Sequence, residues 1–120
     1  QKGVSVVGEI KSAESFYKDN GILVVPLLSG SGIRIKIIEG LSFGKAIVST
    51  SIGAMGIQLK NNENILIGDS PEDFAEAMVR LYKDKDFRLN VGKTARTLAK
   101  KEFDVIALGK KMNEFYTRLF

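Results

Sequence analysis

The chain has no cysteine, no histidine and no tryptophan, and only two prolines among its 120 residues. Without cysteine there are no disulfides or thiolate metal sites, and without histidine the commonest metal ligand and general base are gone. No apolar run approaches the roughly 20 residues that span a bilayer, and no basic stretch followed by an apolar one opens the chain. A cytoplasmic location is the expectation, with peripheral contact to an anionic membrane as its variant. What is present is ordinary for a globular protein, 44% hydrophobic and 27% charged. A chain of this length buries about two thirds of its unfolded surface in one core, so residues 1–120 are expected to form a single domain.

Short apolar runs alternate with helical patterns, without internal repeats, which predicts an α/β fold. Strands are expected at Val4 to Val7, Ile22 to Val25, Ala46 to Ser49 and Ile65 to Ile67. Each is too uniformly apolar for a sheet with one wet face, so helices should cover both faces. Ser12 to Lys18 reads as a short helix capped by Ser12, with Phe16 and Tyr17 turned inward. Ser70-Pro71-Glu72-Asp73 resembles a capping box with proline at the first helical position. Phe74, Ala75, Met78, Leu81 and Tyr82 then form one stripe, and a second helix around Phe87 to Lys101 should bury Phe87, Val91, Ala95 and Leu98. Asp104 can cap a third helix whose stripe is Val105, Leu108, Met112, Phe115, Tyr116 and Leu119. Such stripes predict core, and asparagines 61, 62 and 64 read as turn formers.

The stretch from Pro26 to Glu39 departs from this scaffold. It joins the Ile22 run to a Ser29-Gly30-Ser31-Gly32 turn, two cations (Arg34, Lys36) and a carboxylate, Glu39. Ile37, Ile38 and Leu41 share a helical face, and Gly44 suits the left-handed residue past a helix end. Ile33, Ile35 and Ile37 also alternate with Arg34 and Lys36, so a strand after a hairpin turn competes with the helix. A helix beginning near Gly32 would place both cations where its dipole already puts about half a positive charge. That arrangement makes sense around a bound anion, met by backbone N–H groups, the dipole and two side chains, with glycines allowing close approach. A diphosphate is the natural guess, with Glu39 accepting hydrogen bonds from sugar hydroxyls beyond it. The plainer reading makes the glycines a turn, leaves the cations in solvent and pairs Glu39 with Lys36 at i,i+3. Neither a Walker loop nor a full dinucleotide fingerprint is present. Thr50, Ser51 and residues 53–56 follow the third strand, where they either add N–H donors to the site or simply make a turn.

The run Pro-Leu-x-x-Gly-x-Gly-x-Arg-x-Lys-x-x-Glu-Gly-Leu-x-x-Gly-Lys-x-x-Val-Ser-Thr from Pro26 to Thr50, then Gly53-Ala54-x-Gly56, resembles the C-terminal domain of group 1 glycosyltransferases. The similarity continues through Asn64 to Asp69 and Pro71 to Ala75 to the closing helices. It implies an incomplete C-terminal GT-B domain, a Rossmann-like parallel sheet with flanking helices and a helical C-terminal end. It further implies a retaining enzyme that moves a sugar from a nucleoside diphosphate donor to an acceptor. By resemblance, Glu39 holds the nucleotide ribose, while Gly30, Ser31, Gly32, Arg34 and Lys36 hold the diphosphate. The family's second glutamate, eight positions before Glu39, is replaced here by Ser31. No general acid or base is assignable, and Glu39 is not read as one.

The nucleotide sugar is then a substrate, with no cofactor and no metal site expected, since no cluster of carboxylates or histidines stands out. The partner implied is an N-terminal acceptor domain of the same enzyme, and the fragment alone should not transfer sugar. Missing strands would lie between the Val4 and Ile22 strands, so the fragment must close that gap, leave Val4 to Val7 poorly placed, or dimerise through exposed strand edges. A non-catalytic nucleotide- or phospholigand-binding module of the same fold stays open beside the transferase. Charge adds little. From Lys83 onward ten Lys or Arg face five Asp or Glu, a net +5 against −1 before it. The basic residues are scattered without interleaved aromatics, so nucleic acid is not expected and a solvated face is the reading.

Overall fold

The computed structural model describes residues 2–30, 32 and 34–119, and for residues 105–111 only the course of the helix. In chain order the elements are α1 (Ala13–Asp19), β1 (Ile22–Val25), α2 (Ile35–Ser42), β2 (Ala46–Ser49), β3 (Leu66–Ile67), α3 (Pro71–Lys83), α4 (Lys85–Glu102) and α5 (Val105–Leu119). The strands form one parallel sheet in the order β1-β2-β3, with Ile22 beside Ala46, Val25 beside Ser49 and Val48 beside Leu66. Parallel strands cannot be joined by tight turns, which is why a helix lies between β1 and β2. This is the expected α/β architecture.

Both faces of the sheet are covered, as the uniformly apolar strands require. On one face Val25, Ile47 and Ile65 pack with Ile37 and Leu41 of α2 and with Ala95 and Ala99 of α4. On the other, Ala46, Val48 and Leu66 pack with Leu81 of α3 and Val91 of α4. The fully buried Leu41, Ile47 and Leu81 each contribute roughly 1.5–3 kcal/mol by leaving water. The strand alternative for residues 33–37 fails on burial. Ile37 is enclosed while Ile35 is 71% exposed, so the two do not share a face. The helix ends as expected, Gly44 taking φ +68° and its N–H reaching the Leu41 carbonyl at 3.0 Å.

Four expectations need correction. Residues 4–7 form no strand, and Val4, Val6 and Val7 stand mostly in solvent. A strand is held by its neighbour's ladder and side chains, and no strand lies beside this run. The run from Ile65 is reduced to Leu66–Ile67, with Ile65 joined by a single bridge to Asn61. On α3 the core-facing row is the buried Leu81 with the half-buried Phe74 and Ala77, so Phe74 and Leu81 of the expected stripe face the core, whereas Ala75, Met78 and Tyr82 belong to the next row and are exposed. On α5, Met112, Phe115, Tyr116 and Leu119 are exposed rather than core; the side chains of Val105 and Leu108 lie outside the described residues. The basic C-terminal region is a solvated face, with Lys83, Lys85, Lys93, Arg96, Lys100 and Lys101 all exposed. β1 pairs on one edge only, with β2, and Val24 remains 40% exposed.

Candidate functional site

The loop after β1, Thr50 after β2 and Asp69 after β3 all gather at the carboxyl ends of the strands, where open α/β sheets bind ligands. Pro26, whose nitrogen carries no hydrogen, ends β1 and releases the chain into the glycine loop. Gly30 has φ +128° and Gly32 φ +85°. At Gly30 a side chain would also collide with the Arg34 guanidinium, which folds back over the loop. Ser31 lies outside the described residues.

α2 starts later than the sequence implied. Arg34 is its extended N-cap residue, with φ −86° and ψ 110°, and no side-chain cap is made there; Lys36 falls in the first turn. Two hollows flank this helix start. One, of about 670 Å3, follows the open edge of β1 and is bordered by Ser29, Gly30, Arg34 and Ile35. The other, of about 450 Å3, is bordered by Gly8, Ile10, Phe16, Tyr17 and Glu39. Leu23 and Lys36 line both, so the two lie on either side of Lys36. The structure therefore brings Gly30, Arg34 and Lys36 together on one side and places Lys36 with Glu39 on the other. Both volumes suit an organic ligand, unlike the 170 Å3 hollow beside Asn61 and Arg80.

Glu39 takes its hydrogen bond from the Tyr17 hydroxyl, at 3.4 Å to Oε2, and not from Lys36, so the i,i+3 ion pair of the plainer reading is not formed. The same hydroxyl reaches the Lys36 carbonyl at 3.3 Å. Burial, helped by the nearby Glu39 carboxylate, pushes the Tyr17 phenol above its ordinary value, so it remains a donor at neutral pH. Sequence reasoning turned Phe16 and Tyr17 inward; Phe16 is exposed instead, because only Tyr17 faces α2, and the Tyr17 contact itself was missed. The available signal was that a buried tyrosine needs a partner for its hydroxyl. It also missed the wall at Gly8 and Ile10, because the preceding valines read as a strand.

The segment after β2 is a turn. The Thr50 hydroxyl donates to the Leu27 carbonyl and accepts from the Gly53 N–H at 3.1 Å. The Ala54 N–H goes to the Thr50 carbonyl and that of Met55 to Ile52. Ser51 gives both its N–H (2.8 Å) and its hydroxyl (2.6 Å) to the Asp69 carboxylate, which these bonds hold below the usual carboxylate range. Those donors are committed within the protein, so of the two readings of this segment the turn is the one the structure shows. Among the described residues no three carboxylates gather at a point where a metal could sit.

Residues 1–84 match the family model "Glycosyl transferases group 1". The chain belongs to this family. Two uncharacterized glycosyltransferases of Methanocaldococcus jannaschii are 27% and 24% identical over 89 and 121 residues, covering 72% and 98% of this chain. The chain spans only 25% and 31% of their lengths, and 18% of a 44.6 kDa protein in the cps region of Klebsiella pneumoniae. Among solved structures, the C-terminal domain of a group 1 family glycosyl transferase (LpcC) from Francisella tularensis superposes with a TM-score of 0.69 at 18% identity, over 85% of this chain and 53% of that domain. Anabaena HepE in complex with UDP superposes with a TM-score of 0.76 at 15% identity, over 88% of this chain and 30% of HepE. HepE has also been solved in complex with UDP-glucose, where the TM-score is 0.71. The fold of this group 1 family member is thus that of the C-terminal domain of GT-B glycosyltransferases, of which it corresponds to a part.

Proposed function

We propose that this chain is the donor-binding part of a retaining glycosyltransferase that moves a sugar from a nucleoside diphosphate to an acceptor held by another domain. The observation that carries the reading is the pair of adjacent hollows that share Lys36 as a wall, with a glycine loop and Arg34 on one side and a carboxylate on the other. A nucleoside diphosphate has the same polarity, anionic at one end and rich in neutral hydroxyls at the other. Its diphosphate fits against Gly30, Gly32, Arg34, Lys36 and the start of α2, and its ribose against Glu39. Ser31 belongs to the loop by sequence.

The chemical demand of the reaction is to stabilise the departing diphosphate as negative charge develops on it. Arg34, Lys36 and the α2 N-terminus supply positive potential already in place, which is how preorganised sites lower such barriers. Glu39 orients the nucleoside and takes no proton. UDP is the first ligand to try, because HepE was solved with UDP and with UDP-glucose.

Calorimetry with UDP, GDP and inorganic diphosphate tests the site. The expected result is that the chain binds at least one nucleoside diphosphate more tightly than inorganic diphosphate, and forms no glycoside from the matching sugar nucleotide by itself. Failure to bind any nucleoside diphosphate contradicts the proposal. Binding without transfer in a longer protein that includes an acceptor domain would favour a non-catalytic nucleotide module.

A further inference from the structure

We infer that Tyr17 is a positioning residue for Glu39, fixing one carboxylate oxygen so that the other is presented to the ribose hydroxyls of the bound nucleotide. The inference rests on the nucleotide reading of the cleft and names what sets its preference for the sugar ring.

Tyr17 is anchored on every side but its tip. It is 7% exposed. Its ring stacks on Phe43 at a centroid distance of 4.8 Å and an interplanar angle of 18°, and meets the edge of Phe16 at 6.3 Å. α1 is itself held at its start by Ser12, which accepts the Ser15 N–H at 3.3 Å. The hydroxyl therefore has a fixed origin, from which its one proton is shared between the Lys36 carbonyl at 3.3 Å and Glu39 Oε2 at 3.4 Å. Lys36 and Glu39 lie on successive levels of one helix, so the phenol ties the carboxylate to the backbone that carries the cation. Among the described residues Tyr17 is the only group hydrogen-bonded to the Glu39 carboxylate. Tyr17, Glu39 and Lys36 all border the same cleft. A carboxylate held this way loses less rotamer freedom when a ligand binds.

Tyr17 meets the diphosphate end only at the Lys36 backbone carbonyl and not at its ammonium group, and that separates its role from general support of the fold. The test is calorimetry with UDP, 2′-deoxy-UDP and inorganic diphosphate on the wild-type chain, Tyr17→Phe, Glu39→Gln and the double variant. Tyr17→Phe keeps the ring and its stack. It is expected to weaken UDP roughly three- to tenfold, the worth of one ordinary hydrogen bond, as suits a contact of 3.4 Å, with a smaller loss for 2′-deoxy-UDP and none for inorganic diphosphate. The double variant should bind UDP no worse than Glu39→Gln alone, because Tyr17 acts through Glu39. Phe43→Leu, which removes the stack and keeps the hydroxyl, should give a smaller loss of the same pattern.

Unchanged UDP affinity in Tyr17→Phe, with Glu39→Gln clearly weakened, overturns the role of Tyr17 and leaves the nucleotide reading standing. Equal losses for UDP and inorganic diphosphate in Tyr17→Phe overturn it too, since they would mark a structural role only. If Glu39→Gln binds UDP as the wild type does, or the wild type does not bind it, the nucleotide reading falls and the inference with it.

Discussion

The helices of this chain begin in two different ways. α1, α3 and α4 are each started by an acceptor side chain, with Ser12 taking the Ser15 N–H at 3.3 Å, Ser70 that of Asp73 at 3.0 Å and Asp84 that of Phe87 at 2.9 Å. α2 is started by Arg34, a cation with no cap of its own, after two glycines at positive φ. The first kind satisfies its end from local sequence and adds about 1 kcal/mol of stability each. The second adds positive charge to an end that is already positive. One half of the molecule is therefore optimised for holding together. The other joins a glycine loop to a helix start that carries a cation, and it falls within residues 1–84, which match the group 1 family.

If that contrast is right, changes in the scaffold should move stability and leave ligand selectivity alone, while changes at the loop should do the reverse. The largest effect is expected in the core. Leu81→Ala, at a fully buried position, should lower unfolding free energy by roughly 2–5 kcal/mol in a urea titration. Arg34→Ala comes next. Loss of one charge-assisted contact should weaken UDP and inorganic diphosphate alike by roughly tenfold or more, with little change in the urea midpoint. Ser70→Ala should cost about 1 kcal/mol of stability while the affinity for UDP stays the same. A cap variant that alters UDP binding as much as Arg34→Ala does would dissolve the comparison.

The smallest effect concerns acid. Asp69 is exposed, and its carboxyl is held below the ordinary value by the Ser51 hydroxyl and N–H. A lowered folded-state value means the stabilisation is present at neutral pH and is lost as pH falls from about 4 through the folded-state value. Thermal melts of wild type and Asp69→Asn should therefore differ slightly at pH 7 and converge in strong acid. A difference that grows on acidification would contradict the assignment of the Ser51–Asp69 contact.

Much of this was legible in the sequence, and what was not has identifiable causes. β1, β2, α3 and α4 announce themselves because their signals are local, a short apolar run for the strands, a cap and a periodic face for α3 and a periodic face alone for α4, whose Asp84 cap the sequence reading did not name. The competition between helix and strand around Ile35 and Ile37 could not be decided locally, since both patterns share Ile37; exposure of Ile35 beside the enclosed Ile37 decided the matter, Ile33 lying outside the described residues. The valines at 4, 6 and 7 have the right composition for a strand, but a strand also needs a neighbour, and composition cannot supply one. Met112 and Phe115 have helical spacing without a partner face among the described residues, so amphipathicity gave the helix and not its burial. Around the helix start, spacing and family resemblance singled out Gly30, Arg34, Lys36 and Glu39, and the structure borders two adjacent hollows with them. The Tyr17 contact could not, because it joins residues 22 apart on two helices.

The central claim is that the phosphate end and the ribose end of the ligand are held by different residues, Arg34 for one and Glu39 for the other. Measuring UDP and inorganic diphosphate affinities side by side for Arg34→Ala and Glu39→Gln tests it most directly. The account predicts that Arg34→Ala weakens both ligands while Glu39→Gln weakens UDP alone. Equal losses for the two ligands in both variants would contradict it.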